Sequence, residues 1–262
     1  DGDGKIYSTT DPEGTWNLVF ESGKIFNAVT TDGSVFVAVG EGSGGIICKS
    51  SNGAEWETIN GTFPNFYAIC HDGKSFVAIG AGGTAWKSED GTTWRVAGST
   101  GFDCRGISFN SGKYIAGGAD GNIAYSYNGD TWYNGTVKRN PAVDVSHIRA
   151  IASVYGEYYS VCYLSNGYGE IWKSNNGIDW SVCYEPLAAN TRIWAVAFIG
   201  TGILASGDNG KTYYLELPRS ISVEVACEGL SDRTAIYIQQ DAAAGAHGDK
   251  GKDAIPPKYQ WR

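Results

Sequence analysis

The sequence predicts an all-β protein, a β-propeller of four-stranded antiparallel blades, on three observations. A box of the form Ser-x-Asn/Asp-Gly-x-x-Trp closes at Trp56, Trp94, Trp132 and Trp180, and a looser copy, STTDPEGTW, closes at Trp16, so the tryptophans recur every 40, 38, 38 and 48 residues. A fixed period near forty marks a repeat architecture. Between the boxes, short apolar runs alternate with Gly, Asp, Asn and Ser punctuation, the signature of strands joined by hairpins. The composition agrees: 37 Gly among 262 residues, 13% aromatic residues, no Met, and no stretch with helical periodicity.

Each repeat has the same internal order, read as strands A to D from the central axis outward. The first full copy runs IFNAV, TTDGS, VFVAVG, IICKS, NGAEW; the second FYAIC, HDGKS, FVAIG, TAWKS and the DGTTW box; the third CRGISF, NSGK, YIAGG, NIAYS, NGDTW; the fourth IRAIASV, YGE, YYSVCYL, EIWKS, NNGIDW. A further start is IWAVAFIGTGILASGDNGKTYYLEL from Ile193. The repeats lie near 1–20, 25–61, 66–98, 104–135, 148–184 and 193–217 of a propeller spanning 1–217. Residues 218–240 read as an extra hairpin or outer strands, and 241–262 as a collagen-like or flexible tail. Because DGDGKIY enters at strand C, the chain reads as a processed product, a fragment, or a ring closed by its own ends. In the last case 193–207 supplies strands A and B and 4–20 supplies C and D, giving five blades. If GKTYYLEL is instead a strand C and SISVEVA its strand D, the count is six or more.

The box sits on the C–D hairpin. Asn52, Asp90, Asn128 and Asn176 are placed to bond backbone N–H groups, and Gly53, Gly91, Gly129 and Gly177 to supply positive φ. Ser50, Ser88, Ser126 and Ser174 close the turn, and each Trp buries its ring between sheets with its N–H partnered. These boxes resemble the Asp-box, or BNR, repeats of sialidases and other propellers, one residue shorter. The S-x-D-G-x-T-W form is similar to that of bacterial and phage propellers and of photosystem II assembly-factor propellers. The resemblance spans residues 1–217 and implies the fold; the boxes themselves are structural in those settings, so function has to be argued from a site.

Net charge is −8, with no basic stripe, which argues against nucleic acid and anionic membranes as partners. No apolar run is long enough to span a bilayer as a helix. Cys48, Cys70, Cys104, Cys162, Cys183 and Cys227 form no CxxC pair and occupy strand-like segments, so they read as reduced core thiols. No metal or cofactor is expected. DGDG at 1–4 lacks the rest of a calcium loop. Asn60-Gly-Thr62 and Asn134-Gly-Thr136 match the glycosylation pattern, which arises readily in such turns.

Catalysis lacks its signatures. Arg95, Arg105, Arg139, Arg149, Arg192, Arg219 and Arg233 are scattered singly, and the arginine-containing motif of sialidases is absent. Glu157, Glu170, Asp179 and Glu185 are available as carboxylates, without a visible pairing. His71, His147 and His247 sit in no nucleophile or metal motif. The expectation is a non-enzymatic protein.

Binding residues are expected where loops lengthen on a rigid scaffold. The A–B turns and the boxes are tight. The extra residues fall on the opposite face, in 136–147, 163–170 and 184–192. The candidates are Lys138, Arg139, Asn140, His147, Asn166, Tyr168, Tyr184, Glu185, Asn190 and Arg192. A second set, Trp86 and Trp172 at equivalent strand-C positions with Tyr7 matching them, suits either sugar stacking or packing between blades.

The tail contains GAH-GDK-GKD, three consecutive Gly-x-y triplets, then IPPKYQW. Glycine at every third residue is what a collagen triple helix demands; a flexible linker is the alternative. The run resembles linkers of phage tail fibres and tail-associated host-recognition proteins. That resemblance implies a virion tail module assembled in the bacterial cytoplasm, contacting other tail proteins or a host-surface glycan or protein, with the tail as a route to a homotrimer. The alternatives are a free-standing secreted lectin, an assembly-factor propeller, and an Asp-box glycoside hydrolase.

Overall fold

The computed structural model describes residues 4–11, 13–138, 145–154, 156–165, 167–184, 192–199, 202–207, 212–216, 220–224 and 235–239. The chain is an all-β, five-bladed β-propeller with four-stranded antiparallel blades. A hairpin, β1 (Lys5–Ser8) and β2 (Asn17–Glu21), comes first. Blade 1 is β3 (Ile25–Thr31), β4 (Phe36–Glu41), β5 (Ile46–Ser50) and β6 (Glu57–Thr58); blade 2 is β7 (Phe66–His71), β8 (Phe76–Gly80), β9 (Thr84–Ser88) and β10 (Arg95–Ser99). Blade 3 is β11 (Cys104–Asn110), β12 (Lys113–Gly118), β13 (Ile123–Ser126) and β14 (Tyr133–Asn134). A short strand, β15 (Thr136–Lys138), precedes blade 4, which is β16 (Val145–Val154), β17 (Glu157–Leu164), β18 (Gly169–Ser174) and β19 (Asp179–Tyr184). Blade 5 shows β20 (Ile193–Ile199), β21 (Gly202–Gly207) and β22 (Thr212–Glu216), and a separate hairpin follows, β23 (Ser220–Glu224) and β24 (Ala235–Gln239).

The core lies between blades. Val37, Val39 and Ile47 of blade 1 pack on Phe66, Ile69 and Phe76 of blade 2. Val77 and Ile79 meet Ile107, Tyr114 and Ala116; Ile115 and Ile123 meet Ile148, Ile151, Trp172 and Trp180; Tyr159, Val161 and Ile171 meet Ile193, Ile203 and Ala205. Strand B is therefore covered on both faces, which is why FVAIG is buried at every position and reads as a continuous apolar run rather than an alternation.

The boxes work as the sequence predicts. In blade 2, Asp90 Oδ1 accepts from Thr92 N at 2.8 Å and Thr93 N at 2.7 Å, and Ser88 Oγ accepts from Gly91 N at 2.9 Å. Gly91 has φ 71°, and a Cβ there would lie 2.9 Å from Val37 Cγ2, so both backbone and the neighbouring blade require glycine. The same bonds recur at Ser50/Asn52, Ser126/Asn128 and Ser174/Asn176. Trp56, Trp94 and Trp132 donate Nε1–H to the carbonyls of Gly53, Gly91 and Gly129. Trp180 departs from this: it is 1% exposed and its Nε1 has no partner. The reason is β15, which pairs parallel with β19 and sets Val137 beside Trp180, so among the described residues blade 4 alone has a fifth strand over its outer edge.

Three expectations are corrected. Strand β21 pairs with β22, while β1 and β2 form their own two-stranded sheet, so 4–20 does not complete 193–207. Once β22 holds the free edge of β21, no ladder position remains there for β1. SISVEVA pairs with β24, not with β22. Among the thiols, Cys48, Cys104 and Cys162 are buried, but Cys183 is exposed. Cys227, the first three residues of DGDG and the tail from 240 lie outside the described residues. Innermost strands pack in series from β3 through β7, β11 and β16 to β20. Among the described residues no comparable packing joins β20 to β3.

Candidate functional site: the bulged rim of the innermost strands

Every strand A carries a β-bulge at the same place. The register on strand B shifts between Phe26 and Ala28, Phe66 and Ala68, Cys104 and Gly106, Ile148 and Ala150, and Ile193 and Ala195. The residue left out of the ladder is Asn27, Tyr67, Arg105, Arg149 and Trp194 in turn. A bulge re-aims the side chain it carries and is a conserved device in functional regions of sheets. Here the backbone device repeats five times while the side chain changes, from amide to phenol to two guanidiniums to indole.

Blades 3 and 4 approach most closely at this level. A Cβ on Gly106 would lie 3.0 Å from Ala150 Cα, so glycine beside Arg105 lets the backbone beside Arg149 come close. The Arg105 guanidinium lies 3.8 Å from the Tyr67 ring centroid, and that of Arg149 lies 4.7 Å from the Trp194 centroid. Arg192 adds a third cation, 5.1 Å from the Tyr163 centroid. Burial, then Arg105 and Arg192, pull the Arg149 pKa down, the mark of like charges held together. His147 joins them: burial first, then Arg149 and Arg105, hold its pKa below the ordinary imidazole value, against the opposing pull of Asp120 and Asp103. Its Nδ1 is 2.7 Å from Ser146 Oγ. Arg105 Nε is buried without a hydrogen-bond partner. The ion pairs Lys5–Glu21, Arg95–Asp130 and Lys173–Glu157 involve neither Arg105 nor Arg149. Stacking on aromatic faces orients the guanidiniums without neutralising them.

The loop candidates divide. His147 and Arg192 belong to the cluster. Tyr168 is half-buried against the blade 3–blade 4 core, and Tyr184 ends β19 with its backbone paired to Ile171. Lys138 is exposed on β15, four strands from β16 in the sheet order β15-β19-β18-β17-β16. At about 4.8 Å per strand that is roughly 19 Å from His147, so the two do not share a site. Arg139, Asn140, Asn166, Glu185 and Asn190 lie outside the described residues. Two of the aromatic set pack inside: Trp172 is fully buried, its Nε1 donating to Glu170 Oε2 at 2.8 Å, and Trp86 meets Phe63 edge-on at 5.4 Å, whereas Tyr7 is exposed.

Three of the seven arginines that read as scattered, Arg105, Arg149 and Arg192, thus converge. Arg105, Arg149, Tyr67, Trp194 and Asn27 were missed as site residues because attention to loop length passed over strand A. One signal was available: aligned as FNA, FYA, CRG, IRA and IWA, the copies hold their polar or bulky residue at one position of an otherwise apolar strand.

Of the carboxylates weighed for catalysis, Glu157, Glu170 and Asp179 are engaged elsewhere, and Glu185 lies outside the described residues. Glu157 accepts from Tyr159 Oη at 2.6 Å and pairs with Lys173 at 2.6 Å, and Asp179 Oδ2 accepts from Asn176 Nδ2 at 2.9 Å. Among the described residues no three His, Cys, Asp or Glu side chains are grouped to hold a metal.

No family model and no curated protein matches the chain. Solved structures do resemble it. One, "YCF48 bound to D1 peptide", aligns with a TM-score of 0.60 and 18% identity over 82% of this chain and 72% of that one. YCF48 from Cyanidioschyzon merolae aligns with a TM-score of 0.56 and 16% identity, over 80% of this chain and 74% of that one. At this identity the likeness is one of propeller fold.

Proposed function

We propose that this chain is a non-catalytic binding propeller that receives an acidic segment of a protein partner at the bulged rim. The observation carrying this reading is the convergence of Arg105 and Arg149 without a carboxylate partner among the described residues. An anion seated there relieves the repulsion and makes charge-assisted hydrogen bonds to guanidiniums already oriented by ring stacking. A structurally similar propeller is described as bound to a peptide, which supports a peptide over a small ion. The engaged states of Glu157, Glu170 and Asp179 support a binding role over glycoside hydrolysis.

Calorimetric titration with a hexaglutamate peptide tests the proposal. Binding is expected at low ionic strength, weakening toward about 0.15 M salt as screening sets in, and falling at least tenfold in the Arg105→Gln/Arg149→Gln double variant. Equal affinity in parent and variant, or no heat in either, sinks the reading. A virion tail as the setting for such a module is favoured by the Gly-x-y triplets at 245–253. Sedimentation showing a trimer that becomes monomeric when 241–262 is deleted supports that setting, and a monomer in both cases removes it.

A further inference from the structure

Blade 3 breaks the box register at three positions, all with tyrosine. Where blades 1, 2 and 4 carry Lys49, Lys87 and Lys173, blade 3 has Tyr125; where they carry Ser51, Glu89 and Asn175, it has Tyr127; where they carry Glu57, Arg95 and Ser181, it has Tyr133. The lysines have a structural task. Lys49 Nζ donates to Thr92 Oγ1 at 2.8 Å and Lys87 Nζ to Asn128 O at 2.9 Å, each bolting one blade to the next box. In blade 3 the bolt is kept by another residue, Lys113 on β12, whose Nζ donates to Asn176 O. The polar bolt between blades 3 and 4 therefore does not require the tyrosines, although Tyr125 packs on the core shared by these blades.

Tyr127 and Tyr133 are not buried as core. Tyr127 is 60% and Tyr133 50% exposed, and only Tyr125 is half-buried. Tyr125 and Tyr133 stack at 5.5 Å and 30°, while Tyr127 stands against Tyr125 at 5.9 Å and 83°. The rings thus make a floor and a wall. The Lys113 ammonium lies 5.8 Å from the Tyr125 centroid and 5.3 Å from that of Tyr127. None of the three hydroxyls has a protein hydrogen bond among the described residues.

We infer that this corner on the flank of blade 3 is a second binding site, separate from the bulged rim, for a pyranose unit of a glycan. A pyranose presents one C–H face that lies flat on an aromatic floor, with equatorial hydroxyls at its edge; rings with a polar handle suit a ligand that is apolar on one side and wet on the other. The three free hydroxyls and the remaining Lys113 N–H donors supply the edge contacts. Lys113 is held in place by the Asn176 carbonyl and the ring faces but keeps its charge, so it offers a charged donor to sugar hydroxyls at the edge of the rings. A cationic peptide is disfavoured by the same ammonium.

Saturation-transfer NMR tests the site with maltohexaose, cellohexaose, mannohexaose, galactohexaose and chitohexaose as probes. Transfer to the ring C–H protons of at least one probe is expected. It should be lost, or the affinity should fall at least tenfold, in Tyr127→Asn/Tyr133→Ser, which installs the residues blade 4 carries and so keeps the box. The Arg105→Gln/Arg149→Gln variant should bind the sugar as the parent does while losing hexaglutamate, so the two sites fail separately. The inference is overturned by absence of transfer from all five probes, by transfer that survives the tyrosine variant, or by a proline-rich peptide shifting the tyrosine resonances where no sugar does.

Discussion

The two rims of the propeller differ in what they repeat. At the box rim both backbone and side chains recur: Ser50, Ser88, Ser126 and Ser174 accept the same glycine N–H at 2.8–2.9 Å, and every Asx Oδ1 accepts two backbone amides. At the bulged rim only the backbone recurs, and the side chain it presents is different in kind from blade to blade. A turn that satisfies its own polar atoms has nothing left to offer a ligand. A bulge projects a side chain away from the ladder, and what that side chain is remains free to serve binding. Repetition of backbone with variety of side chain is where a repeat protein places recognition.

The sharpest contrast comes from removing a box tryptophan. Trp180→Ala empties a fully enclosed site and should cost about 3–5 kcal/mol, as large aromatic truncations do, measured by urea unfolding, with hexaglutamate affinity unchanged while the protein stays folded. Trp94→Ala, half-buried, should cost less. Equal losses would show that β15 adds nothing at Trp180. Gly106→Val attacks the other rim through its backbone. Its side chain meets Ala150, so a loss of about 1–3 kcal/mol from overpacking is expected, this time together with weaker hexaglutamate binding as Arg105 and Arg149 are pushed apart. Intact affinity would break the link between close blade approach and the cation cluster.

Much of this was legible in the sequence and some was not, for physical reasons. The box identifies itself because turn chemistry is local: Asp90, Gly91 and Trp94 act on neighbours within four residues. Blade order follows from the period. Closure did not, because GKTYYLEL and the chain's first hairpin compete for the same edge of β21, and pairing over two hundred residues leaves no local mark. The cation cluster was hidden for the same reason. Arg105 and Arg149 are far apart in sequence, and only the stacking of blades makes them neighbours. Trp86 and Trp172 left two readings open, of which packing between blades holds, since an aromatic on a strand looks the same whether it faces solvent or the next sheet.

Two smaller effects refine the comparison through protons. The His147 pKa is depressed in the folded, unliganded protein, so the unfolded chain takes up the proton first. Its contribution to stability is complete above the ordinary imidazole pKa and is lost as pH falls below it. An anion at the rim reverses the pull of Arg149 and Arg105 and raises that pKa, so hexaglutamate should bind more tightly as pH is lowered through the free-state value. A His147→Gln variant with the same pH dependence would remove His147 from the site. At the box rim, Asp90 is held down at about 2, first by the Thr93 amide. Its contribution is present above the usual carboxylate pKa and lost as pH falls through about 2. The other boxes carry Asn at this position, so Asp90→Asn should keep the turn and flatten the acid limb of the stability curve slightly. A large loss at neutral pH would show that the charge itself is needed.

The β15 strand ties two repeats into one mechanical unit. Its chain leaves blade 3 directly after β14 and hydrogen-bonds to the outer edge of blade 4, so blade 4 cannot peel away without first breaking a ladder made by its predecessor. Solvent reaches the amides of a repeat array by opening it from its weakest repeats. Those of β18 and β19 are therefore guarded by a neighbour's backbone as well as by their own blade, and their exchange with deuterium should follow the opening of blades 3 and 4 together. The cation cluster straddles this same pair of blades, so the part of the ring that would hold a ligand is also the part that opens last.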